Sequence, residues 1–189
     1  MPSGHSKRET EIKLPLGGAA QGRRLLRQAG FRVIRRKVFE DNALFDTAGS
    51  TLRSAGRLLR LRCCGPRVLL TFKGPALVGR HKSRQELELE ISDAATFAKI
   101  LAQLGFQPTF RYQKFRTEYT HPRSGGLATL DQTPIGDFLE LEGPPRWIDR
   151  TAAALGFLPA DYITASYAGL YAQYRRQNPS APPDMVFGA

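Results

Sequence analysis

Near the N-terminus, Glu9-Thr10-Glu11-Ile12-Lys13 puts a charge at every second position. In an extended strand alternate side chains share a face, so Glu9, Glu11 and Lys13 would stand together while Ile12 and Leu14 meet an apolar layer. Such a face can handle ions. Its carboxylates offer hard oxygen ligands to a divalent metal, and its ammonium offers an anchor to an anion. A single stretch of this kind would serve equally well as a solvated edge strand, but the pattern recurs. Arg60 and Arg62 oppose Leu59 and Leu61, and Arg84, Glu86, Glu88 and Glu90 oppose Leu87, Leu89 and Ile91. Tyr112, Lys114, Arg116 and Glu118 fall on one face, and Glu140 and Glu142 repeat the motif near the end.

Faces that merely met water would mix in Ser, Thr, Asn and Gln, whereas these positions are nearly all fully charged. The carboxylates group by strand, as do the bases, and like charges at two-residue spacing need a counterion of the other sign. The arrangement expected is a curved or closed antiparallel sheet with its charged faces inward and helices over its apolar outside. Its lumen would hold a multiply charged anion against the bases and Mg²⁺ or Mn²⁺ against the acids. A polyphosphate with its metal supplies both. The alternative is an open platform for nucleic acid, whose backbone the acidic residues of the same face would repel.

The elements that would position these residues follow from periodicity and turn residues. Strands are expected over 9–16, twice within 31–46, over 57–62, 67–73 and 84–91, over 106–119, up to Asp131, and over 138–142. Turns fall at Gly65-Pro66, Ser124-Gly-Gly126 and Thr133–Gly136, with a polar loop over 76–83. Helices are expected over 19–29, after a Ser92 or Asp93 cap, over 146–155 and over 162–176, the last with Tyr167, Leu170, Tyr171 and Tyr174 on one side. Three of them close on the same Leu/Ala-Gly-Phe ending, at Gly30, Gly105 and Gly156. That repetition echoes a duplicated strand–helix–strand unit. Residues 1–8 are read as a disordered tail, 9–176 as a single domain, and the Pro-rich 177–189 as a flexible tail.

Composition bounds the rest. The chain has 189 residues and a net charge of +11 from 28 basic and 17 acidic side chains, which points to an anionic partner. It lacks a run of 18 apolar residues, so no membrane helix is expected, and MPSGHSKRE has no apolar core for a secretory leader. The adjacent Cys63 and Cys64 cannot staple distant segments, and the histidines His5, His81 and His121 are scattered. Zinc or Ser-His-Asp chemistry therefore has no frame here. A reducing, cytoplasmic setting is expected.

Glu9-Thr-Glu11-Ile-Lys13 resembles the ExExK signature of the CYTH superfamily, the triphosphate tunnel metalloenzymes. Later segments keep that family's order: FDT at 45–47, RLLRLR at 57–62, LTFKGP at 70–75, SRQELELE at 83–90, KFR at 114–116 and LDQTPIGDFLELEG at 130–143. The resemblance spans about residues 8–175. It implies an α+β fold, an eight-stranded antiparallel tunnel with helices outside. It implies that Glu9, Glu11, Asp131, Glu140 and Glu142 hold Mg²⁺ or Mn²⁺. Lys13, Arg60, Arg62, Lys73 and Arg116 would grip the triphosphate, with Lys82, Arg84 and Lys114 as further phosphate contacts. Glu86, Glu88 and Glu90 would orient bases. The pattern is similar to that of the class IV adenylate cyclase-like branch, but SGHSKR stands where cyclases carry an aromatic-rich leader, and Leu44 where many relatives have Tyr. The activity expected is therefore hydrolysis of tripolyphosphate or another triphosphate in a basic tunnel. Conversion of ATP to cyclic AMP and pyrophosphate is the alternative, and a non-catalytic polyphosphate- or RNA-binding module is the second. The partner expected is a small-molecule triphosphate, with no membrane, and the chain is read as a monomer or homodimer.

Overall fold

The computed structural model describes residues 5–123 and 125–188. Residues 1–4 of the expected N-terminal tail and Ser124 of the expected turn lie outside them. The chain runs β1 (His5–Leu16), α1 (Ala19–Gln28), β2 (Arg32–Thr47), α2 (Thr51–Ser54), β3 (Leu58–Cys64), β4 (Arg67–Lys73), β5 (Leu77–Val78) and β6 (Lys82–Ile91). It continues with α3 (Ala94–Gln103), β7 (Phe106–Thr120), β8 (Leu127–Thr133), β9 (Gly136–Glu142), α4 (Pro145–Ala154) and α5 (Tyr167–Gln177).

The sheet order is β1-β9-β8-β7-β2-β3-β4-β6, and β6 pairs back onto β1, closing an eight-stranded antiparallel barrel to which β5 adds a short ninth strand. Closure depends on the length of β1. Its first part pairs with β6 from His5 to Glu11, and its second part pairs with β9 from Glu11 to Leu16.

Alternation decides which face points where. Ile12, Leu14, Leu130, Leu139 and Leu141 turn outward and are buried beneath Leu26 of α1 and Ile148 of α4. Phe45 and Leu61 likewise meet Leu101 of α3. Each such burial contributes about 1.5–3 kcal/mol, and it is the helices that make the outward faces dry. Helix α1 sits close enough that a Cβ at Gly22 would come within 2.7 Å of Leu16 Cδ1 and 2.8 Å of Leu130 Cδ1. The repeated Gly-Phe endings are helix stops: Gly30, Gly105 and Gly156 adopt φ of 82°, 83° and 88°. Phe31 N–H donates to Leu26 at 2.9 Å and Phe157 N–H to Ala152 at 3.0 Å.

Several expectations change. Residues 32–47 form one strand, not two, kept in register with β7 by local irregularities at Val33/Arg35, Arg35/Val38 and Leu44/Phe45. The last helix begins at Tyr167, capped by the Ser166 side chain. Residue 163 cannot be helical because it exchanges backbone hydrogen bonds with Lys13, at 2.8 and 2.9 Å. At the ends, where disordered and flexible tails were expected, residues 5–8 extend β1, and Met185 is fully buried beside Tyr112. Backbone hydrogen bonds from Gln113 to Met185 and from Met185 to Arg111 fasten that C-terminal segment to β7. Among the described residues, no helix is long and apolar enough to cross a membrane.

Candidate active site

The inward faces enclose a cavity of about 190 Å³. Its lining answers much of the like-charge problem posed by the sequence: many of the charges are matched by an opposite charge on the neighbouring strand. Cross-strand register sets Glu9 opposite Arg84, Glu11 opposite Lys82, and Lys13 opposite Glu140. It sets Lys73 opposite Glu86, Glu40 opposite Lys114, and Arg116 opposite Asp131. Opposite charges directly across a ladder attract, so barrel closure itself supplies most of the counterions. Seven bases (Lys13, Arg60, Arg62, Lys73, Arg84, Lys114, Arg116) and seven carboxylates (Glu9, Glu11, Glu86, Glu88, Glu118, Glu140, Glu142) line the cavity. The expected basic tunnel is thus a balanced one, and the excess of +11 lies elsewhere.

Of the expected site residues, Glu9, Glu11, Lys13, Arg60, Arg62, Lys73, Arg84, Lys114, Arg116, Glu140 and Glu142 converge on this lumen. Lys73 Nζ sits 2.5 Å from both Glu9 and Glu86. Lys13 Nζ bridges Glu11 at 3.7 Å and Glu140 at 3.2 Å, while Arg116 binds both Glu140 and Asp131. Lys82 lies at one end, 3.6 Å from Glu11. Glu86 and Glu88 hold bases as expected, Glu88 accepting from Thr71 at 3.0 Å beside Arg60. Glu90 stands outside this group, in an exposed bidentate pair with Arg67.

Asp131, which the resemblance implies as a metal ligand, is not among the residues lining the cavity. It is fully buried behind the lumen wall. Its Oδ1 accepts from Arg116 Nε at 2.7 Å, and its Oδ2 accepts from Lys114 at 2.7 Å, Arg116 at 2.6 Å and the Tyr167 hydroxyl at 2.7 Å. Both of its oxygens are thus engaged, by two lumen-lining bases and by the Tyr167 hydroxyl.

Electrostatics follow from these pairings. Burial works to raise the Glu11 carboxyl, and Glu140 adds to that. Lys13, Lys73 and Lys82 nevertheless bring it down to about 2. Burial likewise opposes ionisation of Glu140, which Arg116 and Lys13 hold well below the usual carboxylate range. Lys82 goes the other way: burial, reinforced by Arg84, Lys13 and Lys73 against the pull of Glu11, lowers it to about 8. The Tyr167 phenol is raised well above its ordinary value by burial and by Asp131.

A metal would fit one part of the wall. Register places Glu11 directly opposite Glu142, the one acid-on-acid pairing among the described strands, with Glu140 close enough to act on Glu11. Among the described residues no three His, Cys, Asp or Glu side chains form a ready-made cluster. Mg²⁺ or Mn²⁺ is commonly held by one or two carboxylates together with water and phosphate oxygens. The residues that fit are Glu11, Glu140 and Glu142, with Glu9 beside them.

Three contributors escaped the sequence reading. Glu40, fully buried, accepts from Arg62 at 3.3 Å and lies 3.6 Å from Lys114, and these bases outweigh its burial and hold it at about 2. Asn42 Oδ1 accepts from Arg62 Nε at 3.2 Å. Both were legible in principle, since Glu40, Asn42 and Leu44 alternate on β2. Tyr167 is expected from the sequence only as one of the residues sharing a side of the last helix. Its hydroxyl reaches Asp131, and its ring lies 5.2 Å from Lys13 Nζ and 5.0 Å from Lys114 Nζ.

The CYTH domain family matches residues 7–147. A Methanocaldococcus jannaschii protein with a provisional adenylate cyclase name is 30% identical over 135 residues, 71% of this chain and 75% of that protein. Among solved structures, a Pyrococcus horikoshii protein superposes with a TM-score of 0.75 at 24% identity, covering 88% of this chain and 99% of that one. A Hippeastrum protein, provisionally an adenylyl cyclase and described as having a dominant triphosphatase activity, gives 0.59 at 21% identity over 92% and 96% of the two chains. With a family match over most of its length and a closed antiparallel barrel lined by paired charges, the chain belongs to the CYTH domain family.

Proposed function

We propose that this chain is a divalent-metal-dependent enzyme that hydrolyses tripolyphosphate or an organic triphosphate inside the barrel. One observation carries the reading. Among the described residues, two lumen-lining guanidinium groups have a buried Nε–H that makes no hydrogen bond: Arg60 Nε, and Arg84 Nε, which has only a 3.5 Å ion pair with Glu9. A buried donor left unmade costs about 1–3 kcal/mol, so these groups favour an anion that enters and accepts from them. Phosphate oxygens suit guanidinium forks, which bind them in a bidentate manner.

In this reading Arg60, Arg62, Lys73, Arg84, Lys114 and Arg116 bind and orient the phosphate chain, and Lys13 anchors it next to Glu11 and Glu140. Asp131, Glu40 and Asn42 keep those bases in place. A divalent ion held by Glu11, Glu140 and Glu142 would supply Lewis-acid polarisation of a phosphoryl oxygen. Glu9, held between Lys73 and Arg84, is placed to orient a water.

Hydrolysis and cyclisation share this phosphate chemistry and differ in the nucleophile, water in one case and a ribose hydroxyl in the other. The triphosphatase activity described for the Hippeastrum relative supports the hydrolytic reading, as does Leu44 at the lumen wall. The test is to incubate the protein with Mg²⁺ or Mn²⁺ and either tripolyphosphate or ATP. Orthophosphate release is the expected outcome. Cyclic AMP with pyrophosphate would make it a cyclase, and tight binding without turnover a binding module.

A further inference from the structure

The lumen opens at the α5 end into a second, larger chamber of about 480 Å³, with which it shares Leu44, Leu58, Arg84, Ser166 and Ala168. The two spaces differ sharply in charge. The lumen is balanced, whereas the chamber is lined by five bases, Arg53, Arg57, Lys82, Arg84 and Arg175, and by one carboxylate, Asp46. That carboxylate is already used. Its Oδ1 accepts the amides of Thr47 at 2.8 Å and Leu52 at 2.9 Å, and its Oδ2 accepts the amide of Arg53 at 2.9 Å. Asp46 thus shapes the turn that carries Arg53 and Arg57 to the chamber, and although Arg53 acts on it through space, its oxygens are spent on backbone amides rather than on a guanidinium. Arg53, Arg57 and Arg175 have no salt bridge among the described residues. The floor is apolar, formed by Phe45, Leu59, Phe110 and Tyr171.

An apolar floor beneath a rim of guanidinium groups suits a flat organic group that carries a further anion. We propose that the chamber binds the organic end of the substrate, and that this end bears an additional phosphate: a nucleoside triphosphate phosphorylated on its sugar. This rests on the triphosphate reading of the lumen, because one molecule would span both spaces. The triphosphate lies among paired charges. The added phosphate meets bases that make no salt bridge among the described residues, so that phosphate sets the preference for one triphosphate over another.

The experiment is titration calorimetry of the whole protein without added metal, so that binding is read without turnover. The ligands are tripolyphosphate, ATP and adenosine 3′-phosphate 5′-triphosphate. The 3′-phosphorylated nucleotide should bind about tenfold more tightly than ATP, the worth of one charge-assisted contact. Arg57→Ala with Arg175→Ala should bring that ratio close to one, and tripolyphosphate binding by the variant reports that it has folded. Equal affinities of the two nucleotides for the unaltered protein, or a ratio that survives in the variant, would overturn the proposal while leaving the lumen reading intact. Failure of all three ligands to bind would overturn both.

Discussion

Replacing Asp131 with Asn changes one buried charge and almost no volume, and it separates two roles for this residue. Asp131 is 0% exposed, pairs with Lys114 and Arg116 and accepts from the Tyr167 hydroxyl, which in the proposed reading makes it a positioning carboxylate. Asn keeps a carbonyl acceptor but presents an NH₂ where a cation now sits, so two buried bases lose their shared counterion. Breaking a buried pair in this way costs about 3–5 kcal/mol. In a domain of this size each kcal/mol lowers the melting temperature by about 2–4 °C, so a fall of about 6–20 °C is expected by differential scanning calorimetry. The freed bases face the lumen, so tripolyphosphate should recover more of the melting temperature in the variant than it adds to the parent protein. The metal concentration for half-maximal activity should stay within a few-fold of the parent value. A metal ligand would behave in the reverse manner, with a nearly unchanged melting temperature and a strongly raised metal requirement. That outcome would refute the positioning role.

Two further predictions concern the same lumen. Glu11→Gln relieves the acid-on-acid pairing with Glu142 and should raise the metal requirement of triphosphate hydrolysis by about 10–100-fold or more in a folded protein. An unchanged requirement would remove Glu11 from the ligand set. Lys82 titrates near 8 in the folded chain against an ordinary 10.5, so triphosphate affinity should decline as pH rises from about 7 to 9. Because the unfolded chain holds that proton more tightly, the cost of burying the charged form is relieved as pH climbs from about 8 toward 10.5, and this group's contribution to stability rises over that window. Lys82→Arg should flatten the affinity slope measured by calorimetry, and a slope that persists would assign the titration to another group.

Alternation along each strand was enough to separate charged from apolar faces, because side-chain period is a local property of an extended chain. It set Ile12 and Leu14 against an apolar layer, and it brought Arg60 and Arg62, Lys114 and Arg116, and Glu140 and Glu142 each to one face of their strand. Helix stops at Gly30, Gly105 and Gly156 were equally local. Pairing was not. Whether Glu9 meets Arg84, or Glu11 meets Glu142, depends on a register set by strands distant in sequence. The sequence therefore showed like charges in need of counterions, but not that the neighbouring strands supply most of them. The same reason hid the role of Asp131, whose ladder partner and helix α5 enclose it from opposite sides. It also hid the second chamber, where residues from the α2 turn, β6 and α5 meet only after the barrel closes. Net charge is a sum over the chain and carries no position. Only the folded molecule shows that the lumen is balanced and that an excess of bases gathers at the α5 end, a consequence of which strands face each other rather than of how many bases there are.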